Sequence, residues 1–153
     1  MTCIAWDGKT LAADRQATGA NTRMAMTKIA KIHTEDGPVL IGVAGRAVDM
    51  QAFFHWAETG FDLDAWPEAL EECGSEAMVV LPSGQTLTYE DSPYPIVFHE
   101  QQRAIGSGMH FALAAMHLGK NARQAVEVAC ALDVACGMGI DTLTFTRAEL
   151  RGG

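Results

Sequence analysis

The chain has 153 residues, 48% of them apolar and 20% charged, which suits one hydrophobic core and a single domain over 1–153. Its 11 basic and 19 acidic residues leave a net charge of -8, which repels phosphate backbones and anionic lipid and excludes general nucleic-acid or membrane-surface binding. No apolar run reaches the ~18 residues of a membrane span and the start lacks the basic-then-apolar pattern of a secretion signal, so a cytoplasmic location is expected.

In chain order, the apolar runs 3–6 (CIAW) and 10–13 (TLAA) flank "DG", the strongest short hairpin signal. Residues 27–33 (TKIAKIH) alternate, "EDGP" turns, and 39–45 (VLIGVAG) is too short for a helix. A second hairpin follows, its later strand ending at Gly45. Residues 46–58 predict a helix with Val48, Phe53 or Phe54, and Ala57 on one face, and "DAWPEALEEC" adds one short turn. "AMVVLPSGQTLTYED" reads as a third hairpin turning at "PSG", and the proline-broken "SPYPIVF" as an edge or loop. From residue 104, Gly106 and Gly108 open one helix, "GKN" breaks it, and Asn121 caps a second. "IDTLTF" is β-rich, and the polar tail "RAELRGG" is expected to fray. Hairpins imply antiparallel sheets, and two blocks of helices must cover sheet faces, so the fold class is a layered α+β sandwich.

Cys3, Cys73, Cys130 and Cys136 form no CxxC and read as reduced thiols. The histidines show no paired metal spacing, so neither a metal nor a cofactor is expected. Thr2 follows the initiator methionine directly. Once Met1 is removed, its hydroxyl stands beside its own α-amine, and such an amine, which ordinarily titrates at about 7.7–8.0, is a suitable base near neutral pH. The plain alternative is a threonine that begins a strand.

Four ordered blocks widen that reading. "MTCIAWDGKTLAADRQATGANTRM", "VAGRAVDMQAF", "AIGSGMHFALAA" and "LDVACGMGIDTLTF" resemble, in the same order, the segments of the proteasome-type N-terminal nucleophile hydrolases, with the first third nearest to HslV-type peptidases. The resemblance covers nearly the whole chain. It implies a four-layer αββα sandwich with antiparallel sheets and, because 46–76 is short, a reduced helical layer. It makes Thr2 the nucleophile, Asp14 the carboxylate that orients the site, Lys28 the cation that favours the alkoxide (with Lys31 as the alternative), and Gly45 the oxyanion donor. Ser107 and Asp133 would position the α-amine, with Cys136, in place of the usual serine, and Gly137 behind them. Ala17, Val43 and Ala47, with Arg46 beside them, would line the first substrate pocket, and the small or apolar character of the first three implies a hydrophobic residue before the scissile bond. Arg46 stands where a second glycine is usual. Taken singly, Asp14 is also a turn aspartate, Lys28 a strand lysine and Gly45 a strand-to-helix turn. The resemblance further implies a homo-oligomeric ring, peptide or unfolded-protein substrates and an ATPase unfoldase as a possible partner, in a compact form like those of phages and prophages. Two other functions fit the same blocks: a non-catalytic ring or virion-associated assembly protein, and an amidase acting on a non-peptide amide.

Overall fold

The computed structural model describes residues 2–152; Met1, whose removal the nucleophile reading requires, lies outside them, as does Gly153. Strand β1 (Ile4–Trp6) pairs antiparallel with β2 (Thr10–Asp14). The turn between them is held by Asp7, whose Oδ1 accepts from the Lys9 and Thr10 N–H groups at 2.9 and 2.8 Å. A second hairpin, β3 (Gln16–Gly19) and β4 (Thr22–Ala25), stands apart as its own two-stranded ribbon. Its two-residue turn has Ala20 and Asn21 at φ 48° and 59°, the positive-φ pair a primed hairpin turn needs. Then come β5 (Ile29–Thr34), β6 (Gly37–Ala44), helix α1 (Ala47–Glu58), β7 (Glu76–Val80), β8 (Thr86–Tyr89), β9 (Ile96–Phe98) and β10 (Arg103–Ile105). Helices α2 (Met109–His117) and α3 (Ala122–Leu132), strand β11 (Ile140–Thr144) and the short α4 (Arg147–Arg151) complete the chain.

The strands form a four-stranded sheet, β10-β1-β2-β11, and a five-stranded sheet, β5-β6-β7-β8-β9, all antiparallel. Side-chain alternation assigns every strand two environments. On β1 and β2, Ile4, Trp6, Leu11 and Ala13 meet Leu40, Ala44, Met78 and Val80 of β6 and β7 between the sheets. Cys3, Ala5 and Ala12 face the other way, onto Ala112, Met116, Ala125 and Ala129 of α2 and α3. Val39, Ile41, Val43, Ala77 and Val79 face outward to Met50, Phe53, Trp56 and Ala57 of α1. The layers are therefore helix, sheet, sheet, helix, the αββα sandwich expected. Among the described residues no helix is long and apolar enough to cross a membrane.

The shortened helical layer has a physical replacement. Residues 59–75 form two 3-10 turns, Leu63–Ala65 and Glu68–Leu70, rather than the one turn expected. An aromatic cluster covers the sheet beside α1: Trp56 meets Trp66 edge to face at 4.6 Å between ring centres, and Phe61 stacks on Tyr89 at 5.8 Å. The Trp56 Nε1–H donates to the Asp62 carbonyl at 2.8 Å, pinning the chain as it leaves α1.

Several expectations need correction. Val48 is exposed, because the inward face of α1 is Asp49, Met50, Phe53, Trp56 and Ala57. The β3–β4 ribbon carries almost no buried apolar alternation, so the residues gave it no strand signal. β10 is three residues long and hides before the glycines of 106–108. The tail is helical rather than frayed: Thr146 and Glu149 make a reciprocal capping box, and Lys31 Nζ holds Glu149 at 2.8 Å.

Candidate active site

Two antiparallel neighbours open the site. Lys28 immediately precedes β5 and Gly45 immediately follows β6, so the pairing of these strands carries both residues to one end of the five-stranded sheet. Thr2 precedes β1, whose pairing with β2 sets Asp14 beside Cys3. The Lys28 ammonium donates to Thr2 Oγ1 and to Asp14 Oδ1, both at 2.9 Å. All three side chains are at most 2% exposed.

A fully buried carboxylate is tolerated only if its lone pairs are used. Asp14 Oδ1 accepts from Lys28 and from the Cys3 N–H at 3.0 Å; Oδ2 accepts from the Gln16 and Gly137 N–H groups at 3.2 and 3.1 Å. Gly137 thus supports Asp14 rather than the Thr2 nitrogen. That nitrogen donates to Ser107 Oγ at 3.2 Å, and the Ser107 hydroxyl donates to Asp133 Oδ2 at 2.8 Å. The Ala135 N–H and then the Ser107 hydroxyl hold the Asp133 carboxyl below its ordinary value. Cys136 Sγ is a longer partner of Asp133 at 3.4 Å, and burial pushes its thiol up to about 12, so it stays protonated and donates weakly.

The run Gly106-Ser107-Gly108 wraps the backbone of Thr2. Gly108 N–H donates to the Thr2 carbonyl at 3.1 Å. Gly106 has φ 94°, and a Cβ there would lie 2.7 Å from the Thr2 carbonyl carbon, so only glycine fits. The sequence marked these glycines as a helix start; their contact with Thr2 spans over a hundred residues and has no local signal.

A cavity of about 390 Å³ opens beside Thr2 and is bounded by Ala17, Lys28, Gly45, Arg46 and Ala47. Val43 does not reach it: its side chain is buried under α1 with Met50 and Phe53, on the face that alternation dictates. Lys31 is also elsewhere, paired with Glu149. Ser75, unmarked in the sequence, is part of the wall, and Asp49, also unmarked, stands behind Arg46. Arg46 clamps Asp49 side-on, Nε to Oδ2 at 2.9 Å and Nη2 to Oδ1 at 2.8 Å, and Ser75 Oγ donates to Asp49 Oδ2 at 2.6 Å. Ser75 in turn fills the space beside Gly45, where an added Cβ would come within 2.6 Å of the Ser75 Cβ. The sequence does contain the i,i+3 Arg46–Asp49 spacing; the arrival of Ser75 from 26 residues away is a tertiary event.

Comparison with solved structures matches the fold over nearly the whole chain. HslV from Trypanosoma brucei superposes with a TM-score of 0.68 over 93% of this chain and 98% of that one, at 23% identity. Thiobacillus denitrificans BPH, in complex with epoxomicin, gives 0.67 over 95% and 98%, at 16% identity. The Gly-1 mutant of Anbu from Hyphomicrobium sp. strain MC1 gives 0.72 over 98% and 83%, at 12% identity. The fold is the proteasome-type N-terminal nucleophile fold. No family profile and no curated protein matches at the level of sequence, so the likeness lies in the path of the chain. In this fold Thr2 sits just ahead of β1, beside Lys28 just ahead of β5, Ser107 just before α2 and, through Ser107, Asp133 at the end of α3. Among the described residues no cluster of His, Cys, Asp or Glu has the arrangement of a metal site. The site brings together a hydroxyl, a cation and a carboxylate.

Proposed function

We propose that this protein is a threonine hydrolase of peptide bonds, with Thr2 as N-terminal nucleophile after Met1 is removed. The observation that carries the reading is the buried Lys28 ammonium shared between Thr2 Oγ1 and Asp14. A cation in that position favours the alkoxide over the hydroxyl, and Asp14 keeps the cation from being a costly unpaired charge. The freed α-amine takes the Thr2 hydroxyl proton as Oγ1 attacks the carbonyl carbon. Gly45 N–H receives the oxyanion; such a donor is typically worth roughly 3–4 kcal/mol of transition-state stabilisation. The ammonium then passes the proton to the leaving nitrogen, the C–N bond breaks, and an ester on Thr2 remains. Water attacks that ester with the same amine as base, releasing the acid and restoring Thr2. Ser107, oriented by Asp133, supports the required direction of the amine.

Peptides or unfolded chains are the proposed substrates, handled in a cytoplasmic homo-oligomeric ring supplied by an unfoldase; the fold likeness supports this assembly. The test is intact mass spectrometry with and without epoxomicin, the ligand held by one structural neighbour. The expected result is a chain lacking one methionine that gains one inhibitor mass on Thr2, and no adduct on Thr2→Ala. A purified protein that keeps Met1 and takes no adduct would end the reading.

A further inference from the structure

We infer that Arg46 selects substrates with an acidic residue, glutamate above all, on the acyl side of the scissile bond. This rests on Thr2 as the reacting centre. The sequence pattern of small residues pointed to a hydrophobic preference, yet the wall next to Gly45 carries a guanidinium. Its position is fixed from behind: Nε and Nη2 are committed to Asp49, which is fully buried and also held by Ser75. A guanidinium has five N–H donors in a planar fork. Side-on pairing through Nε and Nη2 spends two, and the other three lie on the edge away from Asp49. The Arg46 side chain is 65% exposed and Arg46 lines the cavity, so donors beyond the two held by Asp49 are open to a ligand.

The placement selects a side of the substrate. With the carbonyl oxygen at Gly45 N–H, the residue that owns this carbonyl lies beside the residues flanking Gly45, and Arg46 is the next in the chain. Ala17 and Ala47 line the same cavity without polar atoms in their side chains, which suits the methylenes of glutamate below a carboxylate at the mouth. Both Asp49 oxygens are engaged by Arg46 and Ser75 and Asp49 is buried, so a substrate carboxylate meets the donor edge of the pair and not its anion. A charge-assisted fork of this kind discriminates a carboxylate from its amide isostere by roughly 10- to 100-fold.

The experiment compares matched acyl-peptide amides that differ only in glutamate or glutamine at the acyl position. Hydrolysis rates are measured on the mature protein, and binding by NMR titration on Thr2→Ala. The expected glutamate-to-glutamine ratio is roughly 10 to 100 in both. Because Arg46→Gln alone would strand a buried carboxylate, the test variant is Arg46→Gln with Asp49→Asn, checked for folding by circular dichroism; its ratio falls to near one. Arg46→Lys, which keeps the charge and loses the fork, retains part of the ratio. A ratio near one in the parent protein, or one unchanged in the double variant, overturns the assignment. If neither peptide is hydrolysed and Thr2 takes no epoxomicin, the hydrolase reading fails by itself, and the binding ratio still decides Arg46.

Discussion

Lys28 is the residue on which the electrostatics of the site depend. It is 2% exposed and donates to both Thr2 Oγ1 and Asp14. Replacing it by alanine leaves the Asp14 carboxylate buried without its cation, so Lys28→Ala should lose about 3–5 kcal/mol of stability, read from urea unfolding, together with epoxomicin capture. Thr2→Ala should abolish capture while leaving the Lys28–Asp14 pair intact, at the smaller cost of about 1–3 kcal/mol for one acceptor taken from a buried ammonium. Equal stability losses in the two variants would contradict this division of roles. The cysteines offer a second check. Burial pushes Cys136 up to about 12 and Cys130 up to about 11, and raises Cys3 further still. Cys73 is a partly exposed thiol in the cavity wall. Iodoacetamide at about pH 8 should therefore alkylate Cys73 in the native protein well before the other three, as peptide mapping would report; early loss of Cys136 would contradict the packing described.

At the scale of elements, helix ends and strand ends decide what the site contains. α3 begins with a reciprocal capping box, in which Asn121 accepts from the Gln124 N–H at 2.9 Å and Gln124 Oε1 accepts from the Asn121 N–H at 3.1 Å. Asn121→Ala should cost about 1 kcal/mol in urea unfolding. The cap was legible from "GKN" because capping is local chemistry. α1 behaves differently. Its N-terminal turn holds a buried acid, Asp49, tied to Arg46 and Ser75. Burial pushes the Asp49 carboxyl up, but the Arg46 and Ser75 hydrogen bonds outweigh it and leave the group below its ordinary 3.8. A lowered folded-state value means that the stability it supplies is complete above about pH 4 and lost as the pH falls through the lower value. The difference in unfolding free energy between the parent protein and the paired Arg46→Gln, Asp49→Asn variant should thus shrink over the range below about pH 4. A constant difference over that range would show that the pair does not titrate in this way.

For the whole molecule, the outer layer has replaced helix with aromatic packing, and Trp56 joins Phe53, Phe61, Trp66 and Tyr89 there. Trp56→Ala should cost about 3–5 kcal/mol and open the sheet face to dye binding. Assembly is the other property at this scale. The proposed ring should elute from size exclusion well above the 16.4 kDa of one chain, and Thr2→Ala should elute with it. A monomer at micromolar concentration would remove the ring from the proposal.

Sequence alone determined the hairpins of β1–β2, β5–β6 and β7–β8, the two blocks of helix and the layered class, because period, turn chemistry and capping act over a few residues. It also held the block order on which the expectations for Thr2, Asp14, Lys28, Ser107 and Asp133 rest. Only the tertiary structure decided what touches what. The glycines of 106–108 fold around Thr2, Ser75 reaches Asp49, Val43 turns away from the cavity while Arg46 stays on it, and the polar β3–β4 ribbon forms without a hydrophobic pattern. Each of these depends on the facing of a strand or on a partner far along the chain, and free energy gained from such contacts leaves no trace in any short window of residues.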